Sequence, residues 1–499
     1  MLIAGERRRG ERMGELRSPH RHELTIASYA VGGRQDFQAA IEAALAARAG
    51  WAATPFHDRA AVFLRAAALL SGPWRDSINA ATMLGQSKTV QQAEIDAACE
   101  LADFWRFNTW YADRLLEEQP QNDRTAWNRT EYRPLEGFLF AVTPFNFTSI
   151  AGNLPTAPAL MGNTVVFKPA TQTLLVASLL MDLLVEAGLP AGVINLVSGS
   201  AREIGDVVLS HPDLAGVHFT GSTEVFQQMW HTVGSNIDRY RTYPRLIGET
   251  GGKDFVLAHP SADVASLRTA LIRGAFEYQG QKCSAASRAY VPRSLWQSMK
   301  DDLVDEVNGI EMGDVADFRN FMGAVIDESA FQRHSQAIAE AKAGNGARVI
   351  AGGTTDDSTG WFVRPTVVET DDPGFRLLRE ELFGPILTVL PYPDGGWADA
   401  LELVDKTSPY ALTGSVFATD RDAIRQAGDR LVHAAGNFYI NDKPTGAIVG
   451  LQPFGGGRAS GTNDKAGSGL NLMRWVSPRT IKETYVPPTD YRHPYMAEE

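Results

Sequence analysis

The sequence predicts an α/β protein built on parallel sheets, and three observations support this. Short apolar runs of strand length alternate along the chain with amphipathic helical stretches. A predicted helix ends at Gly188-Leu189-Pro190, a typical helix stop. Polar residues and glycines follow directly after strands, where parallel sheets bind ligands. At 499 residues, the chain is long enough for about three structural units.

Composition excludes several classes of protein. Hydrophobic residues make up 44% and charged residues 21%, which is typical of a soluble globular protein and not of a disordered one. The net charge of −12 argues against non-specific nucleic-acid binding. The longest apolar run, residues 174–185, is shorter than the roughly 20 residues of a spanning helix. We therefore expect neither a nucleic acid nor a membrane as partner.

The two cysteines, Cys99 and Cys283, are too few for a disulfide framework or a Cys-rich zinc site. We expect no metal, and a reducing cytoplasm fits this cysteine usage best. The first 22 residues mix six Arg with three Glu and resemble neither a transit peptide nor a signal peptide. This segment is predicted to be a mobile terminus.

The region from about residue 35 to 118 is predicted to be mostly helical. Its stretches 37–47 and 58–70 are Ala-rich, with apolar residues at three- and four-residue spacing, and 94–116 continues the pattern. Cys99 falls within the apolar pattern 95–101, so it is predicted to be a buried structural residue.

A β-α-β-α-β unit follows, which predicts a parallel sheet with right-handed crossovers. It comprises the predicted strands 164–167, 193–197 and 216–220 and the predicted helices 173–187 and 202–210. A predicted strand, 138–142, precedes the unit, and a predicted helix, 224–231, follows it. Asn146, Lys168 and Gly221 lie just beyond strand ends, where such sheets bind ligands.

A second α/β region begins near residue 250. Its predicted strands are 255–257, 289–291, 386–390 and 414–418. Two further segments, 125–133 and 480–486, show the two-residue alternation of a strand but are too polar for a core. We therefore expect them to pair with each other and project outward.

Standard catalytic fingerprints are absent from the sequence. It has no G-x-G-x-x-G, no P-loop, no H-E-x-x-H and no G-x-S-x-G motif. Seven other segments combine Gly or Pro with polar residues: 143–147 (TPFNF), 168–170 (KPA), 219–223 (FTGST), 249–253 (ETGGK), 280–285 (GQKCSA), 380–385 (EELFGP) and 453–456 (PFGG).

In this order and spacing, the seven segments resemble the NAD(P)-dependent aldehyde dehydrogenase superfamily over residues 35–485. Phe145, 282–284 (KCS), 445–450 (TGAIVG) and 458–464 (RASGTND) narrow the resemblance to the monofunctional 1-pyrroline-5-carboxylate dehydrogenases. The resemblance implies oxidation of glutamate γ-semialdehyde to glutamate in proline catabolism, with NAD as cofactor.

The chemistry of aldehyde oxidation assigns roles to three of these residues. Cys283 is suited to attack the aldehyde as a thiolate, with Lys282 beside it and a possible helix N-terminus lowering the thiol pKa. The resemblance implies that the Asn146 side chain and the Cys283 N–H hold the oxyanion, and that Glu249 activates the water that hydrolyses the thioester.

The resemblance also assigns the cofactor. Lys168 is expected at a ribose, Gly221 and Ser222 at the pyrophosphate, and Glu381 at the nicotinamide ribose, with Phe383 packed beside the ring. The other predicted cofactor contacts are Phe145, Ala170 and Thr223. Many NAD-preferring members have Glu where this chain has Thr171, so NADP stays open as an alternative. The superfamily also often has Gly where this chain has Phe226.

For the substrate, the resemblance assigns the α-carboxylate to the backbone N–H groups of Gly446 and Ala447, aided by the Ser284 hydroxyl. Lys282 is a further predicted substrate contact. The rings of Phe147 and Phe454 are expected to enclose the aliphatic carbons.

The implied fold is aldehyde dehydrogenase-like α/β: a Rossmann-type parallel-sheet cofactor domain, an α/β catalytic domain and a small β oligomerisation flap. The cofactor domain is expected at 1–124 and 139–248 with 456–474 packed on it, and the catalytic domain at 249–455. The flap is expected at 125–138 and 475–499, joining a homodimer or higher homo-oligomer.

Other functions stay open at this point. A dehydrogenase for another semialdehyde shares every core motif, and a CoA-acylating relative is disfavoured only by Glu249. A catalytically silent structural member is disfavoured by the presence of both Cys283 and Glu249.

Overall fold

The computed structural model describes residues 1–10, 12–199, 205, 207–344 and 346–496. Two seven-stranded sheets form its framework, as the α/β prediction requires. The predicted helix 202–210 falls largely on residues outside this description. The helices of ten or more residues are Arg34–Ala53, Phe56–Ser71, Arg75–Gln86, Leu101–Leu116, Thr148–Leu160, Leu174–Glu186, Thr223–Ser235, Val264–Phe276, Arg293–Asn308, Glu328–Lys342, Trp397–Thr407 and Arg421–Arg430.

The first sheet is parallel over five strands, in the spatial order Arg245–Glu249, Leu214–Thr220, Phe138–Val142, Thr164–Lys168 and Ile194–Leu196. Two short antiparallel strands, Leu2–Ile3 and Glu6–Arg7, extend it. The predicted strands were correct within two residues, because buried parallel strands are continuous apolar runs. The strand Arg245–Glu249 was not predicted.

The second sheet has the order Ala347–Ala351, Thr366–Thr370, Ile386–Tyr392, Ala286–Pro292, Asp254–Ala258, Thr413–Phe417 and Asn437–Ile440. All its neighbours are parallel except the first pair. All four predicted strands of this region are present.

The expectation of a mobile N-terminal segment is wrong for the described residues. Strands Arg12–Ser18 and Arg21–Val31 form an antiparallel hairpin. The hairpin is anchored to a distant loop, because His22 N donates to Thr359 O (2.9 Å) and Trp361 N donates to Pro19 O (2.9 Å). Hydrogen bonds between residues this far apart in the chain, such as His22 and Thr359, leave no local signal in the sequence.

The prediction that Cys99 is buried is also wrong, because Cys99 is exposed. The reason is a π-helical turn, Glu94–Glu100, inserted ahead of the helix Leu101–Leu116. The wider turn rotates side chains away from the faces that an α-helical pattern assigns. It exposes Ile95 and buries Asp96.

The two polar segments pair as predicted. Strand Ala126–Pro134 lies antiparallel to Val476–Thr484 over nine residue pairs. Trp127 on this ribbon is 46% exposed, so the ribbon carries apolar surface into solvent.

The site lies where the two sheets meet end to end. Glu249 ends a strand of the first sheet, and five residues later Asp254 begins a strand of the second. The carboxyl ends of the strands in the first sheet therefore face the amino ends of the strands in the second. Cys283 lies just before one of those strands, Ala286–Pro292. Within the described residues, no helix is long and apolar enough to cross a membrane.

Candidate active site

A strained loop leads to Cys283. Tyr278, Gln279 and Gly280 all have left-handed φ angles, of 51°, 56° and 65°. The Gln279 amide fixes the loop by donating to Ser87 O (3.0 Å) and Ala324 O (2.7 Å). Consecutive non-glycine residues in this region cost about 1 kcal/mol or more each, and such strain concentrates at functional sites.

Cys283 lies among acids. Burial raises the pKa of its thiol well above the usual value, and the carboxylates of Asp254, Glu249 and Glu381 raise it further. The expectation that Lys282 lowers this pKa is therefore wrong for this state. The Lys282 ammonium instead pairs with Glu277 at 3.1 Å.

Asn146 lies beside the loop 278–283, which we call the catalytic loop, and it is 3% exposed. Its amide Nδ2 donates to Gln281 O at 3.0 Å, two residues before Cys283. An amide nitrogen carries two protons, so one remains for an oxyanion that develops near Cys283.

Glu249 is buried in a cradle formed by residues 455–465. Its pKa is raised well above the usual value by burial, while Lys465 and the Gly456 N–H act in the opposite direction. Its Oε2 has no hydrogen-bond partner among the described residues. A buried carboxylate with a free oxygen and a raised pKa has the properties of a general base.

Glu381 reaches the same site from the segment before the strand Ile386–Tyr392. Its Oε1 accepts from Gly252 N at 2.9 Å, and burial raises its pKa to about 7. Gly251 is required here, because a Cβ at this position would overlap the Glu381 carboxylate. The ring of Phe383 meets that of Phe145 edge to face, with centroids 5.7 Å apart.

The predicted cofactor residues of the first sheet share its carboxyl edge. Lys168 ends its strand, Ala170 N donates to Thr143 O (3.1 Å), and Gly221 N donates to Glu249 O (3.2 Å). Burial lowers the pKa of Lys168, and within the described chain its ammonium has no hydrogen-bond or ion-pair partner.

Ser222 is the N-cap of the helix Thr223–Ser235 and makes no side-chain capping hydrogen bond. The first N–H groups of this helix are thus available to an anion. Phe226 is buried and stacks on Phe219, with centroids 5.4 Å apart, and Thr171 is exposed at the start of a short helical turn.

The predicted substrate loop is joined to the catalytic loop. Ser284 Oγ donates to Thr445 Oγ1 at 2.9 Å. Gly446 has a φ of +96°, and neither its N–H nor that of Ala447 donates to another group within the described residues. A Cβ at Gly446 would lie 3.1 Å from Lys443 Nζ, so a cation accompanies the free N–H groups.

The two predicted aromatic walls come from different segments. Phe147 precedes the helix Thr148–Leu160, and Phe454 pairs with Ala466 through two backbone hydrogen bonds of 3.0 and 2.8 Å. Both rings are half-buried.

Sequence reasoning missed three buried ionisable residues behind these loops. They are Lys88, Asp96 and Glu100, and burial with the neighbouring Asp96 raises the pKa of Glu100 to about 8. No spacing in the sequence indicated them, because residues 94–100 form a π-helical turn, to which the four-residue spacing of an α-helical face does not apply.

The chain belongs to the aldehyde dehydrogenase family, whose model matches residues 7–481. Within that family, it is 51% identical over 480 residues to the mitochondrial delta-1-pyrroline-5-carboxylate dehydrogenase of Bos taurus, covering 96% of this chain and 85% of the bovine one. The mitochondrial enzyme of the same name from Dictyostelium discoideum is 50% identical, covering 96% of this chain and 86% of its own.

Solved structures agree with this assignment. The delta-pyrroline-5-carboxylate dehydrogenase from Mycobacterium tuberculosis bound with NAD superposes with a TM-score of 0.96 at 57% identity. The match covers 100% of this chain and 92% of that one. The 1-pyrroline-5-carboxylate dehydrogenase from Thermus with bound NAD has a TM-score of 0.91 at 30% identity, with 97% and 92% covered.

Proposed function

We propose that this chain oxidises glutamate γ-semialdehyde, the open form of 1-pyrroline-5-carboxylate, to glutamate with NAD, in proline catabolism. The observation that carries the proposal is the 2.9 Å hydrogen bond from Ser284 Oγ to Thr445 Oγ1, which joins the Cys283 loop to the loop of Gly446 and Ala447. In this site, a thiol and a free buried carboxylate lie next to a loop with unoccupied N–H groups and a lysine. An aldehyde with a carboxylate at its far end matches both parts.

Cys283 is the proposed nucleophile. Its raised pKa means that the resting thiol is protonated, so attack requires transfer of that proton to a base as the S–C bond forms. Solvent water is the proposed acceptor of this proton, which leaves the free Oε2 of Glu249 available for the later hydrolysis step.

Asn146 Nδ2 and the Cys283 N–H hold the oxyanion of the tetrahedral thiohemiacetal. Collapse of this adduct leaves a thioester on Cys283. Glu249 then takes a proton from water, which attacks the thioester and releases glutamate and the thiol.

The residues at the first sheet's edge fit a dinucleotide. The half-buried Lys168 ammonium has no partner among the described residues, and it suits ribose hydroxyls. The open helix start at Gly221, Ser222 and Thr223 suits a pyrophosphate. Glu381 is placed to accept from the second ribose, and Ala170, Phe145 and Phe383 to pack against the cofactor. When bound, NAD supplies the acceptor for the hydride that leaves the adduct.

The substrate's α-carboxylate is assigned to the N–H groups of Gly446 and Ala447, with Ser284 and Lys282 beside them. A buried carboxylate needs such partners, because an unpaired one costs several kcal/mol. Phe147 and Phe454 are the proposed walls for its aliphatic carbons.

The domain roles are also part of the proposal. Residues 1–124 and 139–248, with 456–474, bind the cofactor, 249–455 carry the catalytic loop, and 125–138 with 475–499 mediate self-association into a homodimer or larger oligomer. A reducing compartment suits the free Cys283, and we place the protein in the cytoplasm.

The test separates the two half-reactions. Cys283→Ala is expected to abolish NADH formation while calorimetry still detects NAD binding, because the thiol forms the adduct but does not hold the cofactor. Glu249→Gln is expected to release NADH in a burst near one equivalent, followed by slow turnover as the thioester accumulates. Near-normal turnover by Cys283→Ala contradicts the mechanism.

A further inference from the structure

A fully buried ion pair lies behind the active-site loops. Lys88 Nζ is 2.6 Å from Asp96 Oδ2, and the side chains are 0% and 1% exposed. Taking two such charges out of water costs several kcal/mol each. Its contacts therefore indicate what the pair does for the protein.

The Asp96 carboxylate holds the start of a helix. One oxygen accepts from Thr148 N and the other from Ser149 N, both at 2.8 Å. These N–H groups begin the helix Thr148–Leu160 and have no partner within it. Asn146 and Phe147 immediately precede that helix, so Asp96 fixes the point from which both extend.

Lys88 contacts the segments on both sides of the site. Its ammonium lies 4.3 Å from the ring centroid of Phe147 and 4.5 Å from that of Tyr278. Cation–π contacts of this kind are strongest when desolvated. Ser87, which precedes Lys88 in the chain, accepts a hydrogen bond from Gln279 Nε2 through its carbonyl oxygen. Ser87 and Lys88 therefore contact the catalytic loop at Gln279 and Tyr278.

We propose that Lys88 and Asp96 are positioning residues that hold Asn146 at the distance from Cys283 that oxyanion stabilisation requires. The pair acts through Asn146 and the Tyr278–Gly280 turn, and not on the substrate. This inference rests on the proposed roles of Cys283 and Asn146, and a displacement of about 1 Å at such a site costs on the order of 100-fold in rate.

A double-mutant cycle on the full-length protein tests the proposal. The readout is the burst of 4-nitrophenolate from 4-nitrophenyl acetate, in which the Cys283 thiolate gains the acetyl group and 4-nitrophenolate leaves. This reaction needs neither NAD nor the semialdehyde, so its outcome is independent of the substrate assignment. Rates are normalised to the amount of Cys283 that iodoacetamide labels, counted by peptide mass spectrometry because the exposed Cys99 also reacts.

Asn146→Ala is expected to slow the burst by about 100-fold, which is typical for an oxyanion donor. Lys88→Met is expected to slow it at least tenfold in the natural background and by less than about threefold in the Asn146→Ala background. Lys88→Arg is expected to recover part of the rate, because it restores the charge. Arg75→Met removes an ion pair with Glu94 near the surface, and it serves as the matched control with an unchanged burst.

Equal fold-losses for Lys88→Met in both backgrounds overturn the proposal, because the pair then acts independently of Asn146. An unchanged burst in Lys88→Met also overturns it. If Lys88→Met does not fold, the cycle is run with Lys88→Arg and judged by the same criterion. If the double-mutant cycle gives the expected values but the protein does not oxidise the semialdehyde, this inference stands and the proposed substrate is contradicted.

Discussion

The Glu249 carboxylate is held by a loop that contributes one nearby positive charge. Lys465 has a left-handed φ of 51°, and its ammonium donates to Gly436 O (2.8 Å) and Gly455 O (2.9 Å). Gly455 lies directly against Glu249, where a Cβ would come within 2.9 Å of Oε1. Lys465 therefore opposes the effect of burial on the base, whereas Asp464, itself paired with Arg474 at 3.2 Å, reinforces it.

Removing this charge shifts the pH dependence of thioester hydrolysis. In Lys465→Met, the pKa of Glu249 rises further, so a larger fraction of the base is protonated at neutral pH. We expect the acidic limb of the hydrolysis profile to move up by about one pH unit, with an approximately tenfold loss at pH values on the acidic side of both limbs. Multiple-turnover rates across pH measure this.

The matched control is Arg458→Met, which removes one positive charge from the same loop. Arg458 pairs with Asp405 at 2.5 Å, and its profile is expected to stay in place. Coincident profiles for Lys465→Met and the natural chain contradict the electrostatic role.

At the scale of elements, the exposed ribbon has one edge open to a partner. On strand Ala126–Pro134, Thr130 N donates to Gln119 Oε1 at 2.8 Å and Asn128 N to Asn122 Oδ1 at 2.5 Å. Side chains thus occupy that outer edge. No element among the described residues pairs with the outer edge of Val476–Thr484, and an open edge of this kind recruits another strand.

We expect Thr480→Pro to weaken self-association. Thr480 is opposite Thr130, whose N–H points outward, and opposed residues in an antiparallel ladder share this orientation. Proline removes the outward donor and spares the internal ladder. Light scattering at micromolar concentration is expected to show the natural chain as a dimer or larger and Thr480→Pro shifted towards monomer, while Thr480→Val, which keeps the N–H, is unchanged. A monomeric natural chain contradicts the assembly role.

The elements also show which features a sequence can predict. Buried strands such as Phe138–Val142 are evident because every residue is apolar. The helix Thr148–Leu160 was missed because Pro155 and Pro158 lie within it and normally indicate a break. Cys283, the proposed nucleophile, could be singled out from its motif alone. The Lys88–Asp96 pair could not, because it depends on a π-helical turn and on contacts between distant segments.

For the whole molecule, two buried neutral histidines make stability depend on acid. Burial lowers the pKa of His218 and of His334 to about 4 each. In the unfolded chain, each histidine has a pKa near 6.5 and therefore binds its proton at a higher pH than in the folded protein. The free energy of unfolding is thus highest above about pH 6.5 and decreases as pH falls towards 4. The loss is about 3 kcal/mol per histidine.

His334→Gln is expected to reduce this acid sensitivity. The glutamine amide retains a donor for Leu382 O, which His334 Nε2 contacts at 3.0 Å, and it does not titrate. Urea unfolding at pH 7 and pH 4.5 gives the free energy of unfolding in each case. If the free energy of unfolding falls equally in the variant and the natural chain between pH 7 and pH 4.5, groups other than His334 cause the acid sensitivity.

The end-to-end arrangement of the two sheets is what unites these features. The residues proposed to bind the cofactor lie on the carboxyl edge of the first sheet, and the Cys283 thiol lies at the amino ends of the strands of the second, so both are close to the residues 249–254 that join the sheets. The rule that ligands bind at carboxyl ends of strands therefore predicts the cofactor half of the site and not the catalytic half.

The central claim is that this site oxidises an aldehyde whose far end is a carboxylate. The most direct test is kcat/KM for NADH formation with glutamate γ-semialdehyde and with hexanal, each with saturating NAD. The loop at Gly446 and Ala447 predicts a preference for the semialdehyde of at least about 100-fold, since leaving such donors unpaired costs several kcal/mol. Equal values for the two aldehydes would contradict the account and leave a general aldehyde dehydrogenase.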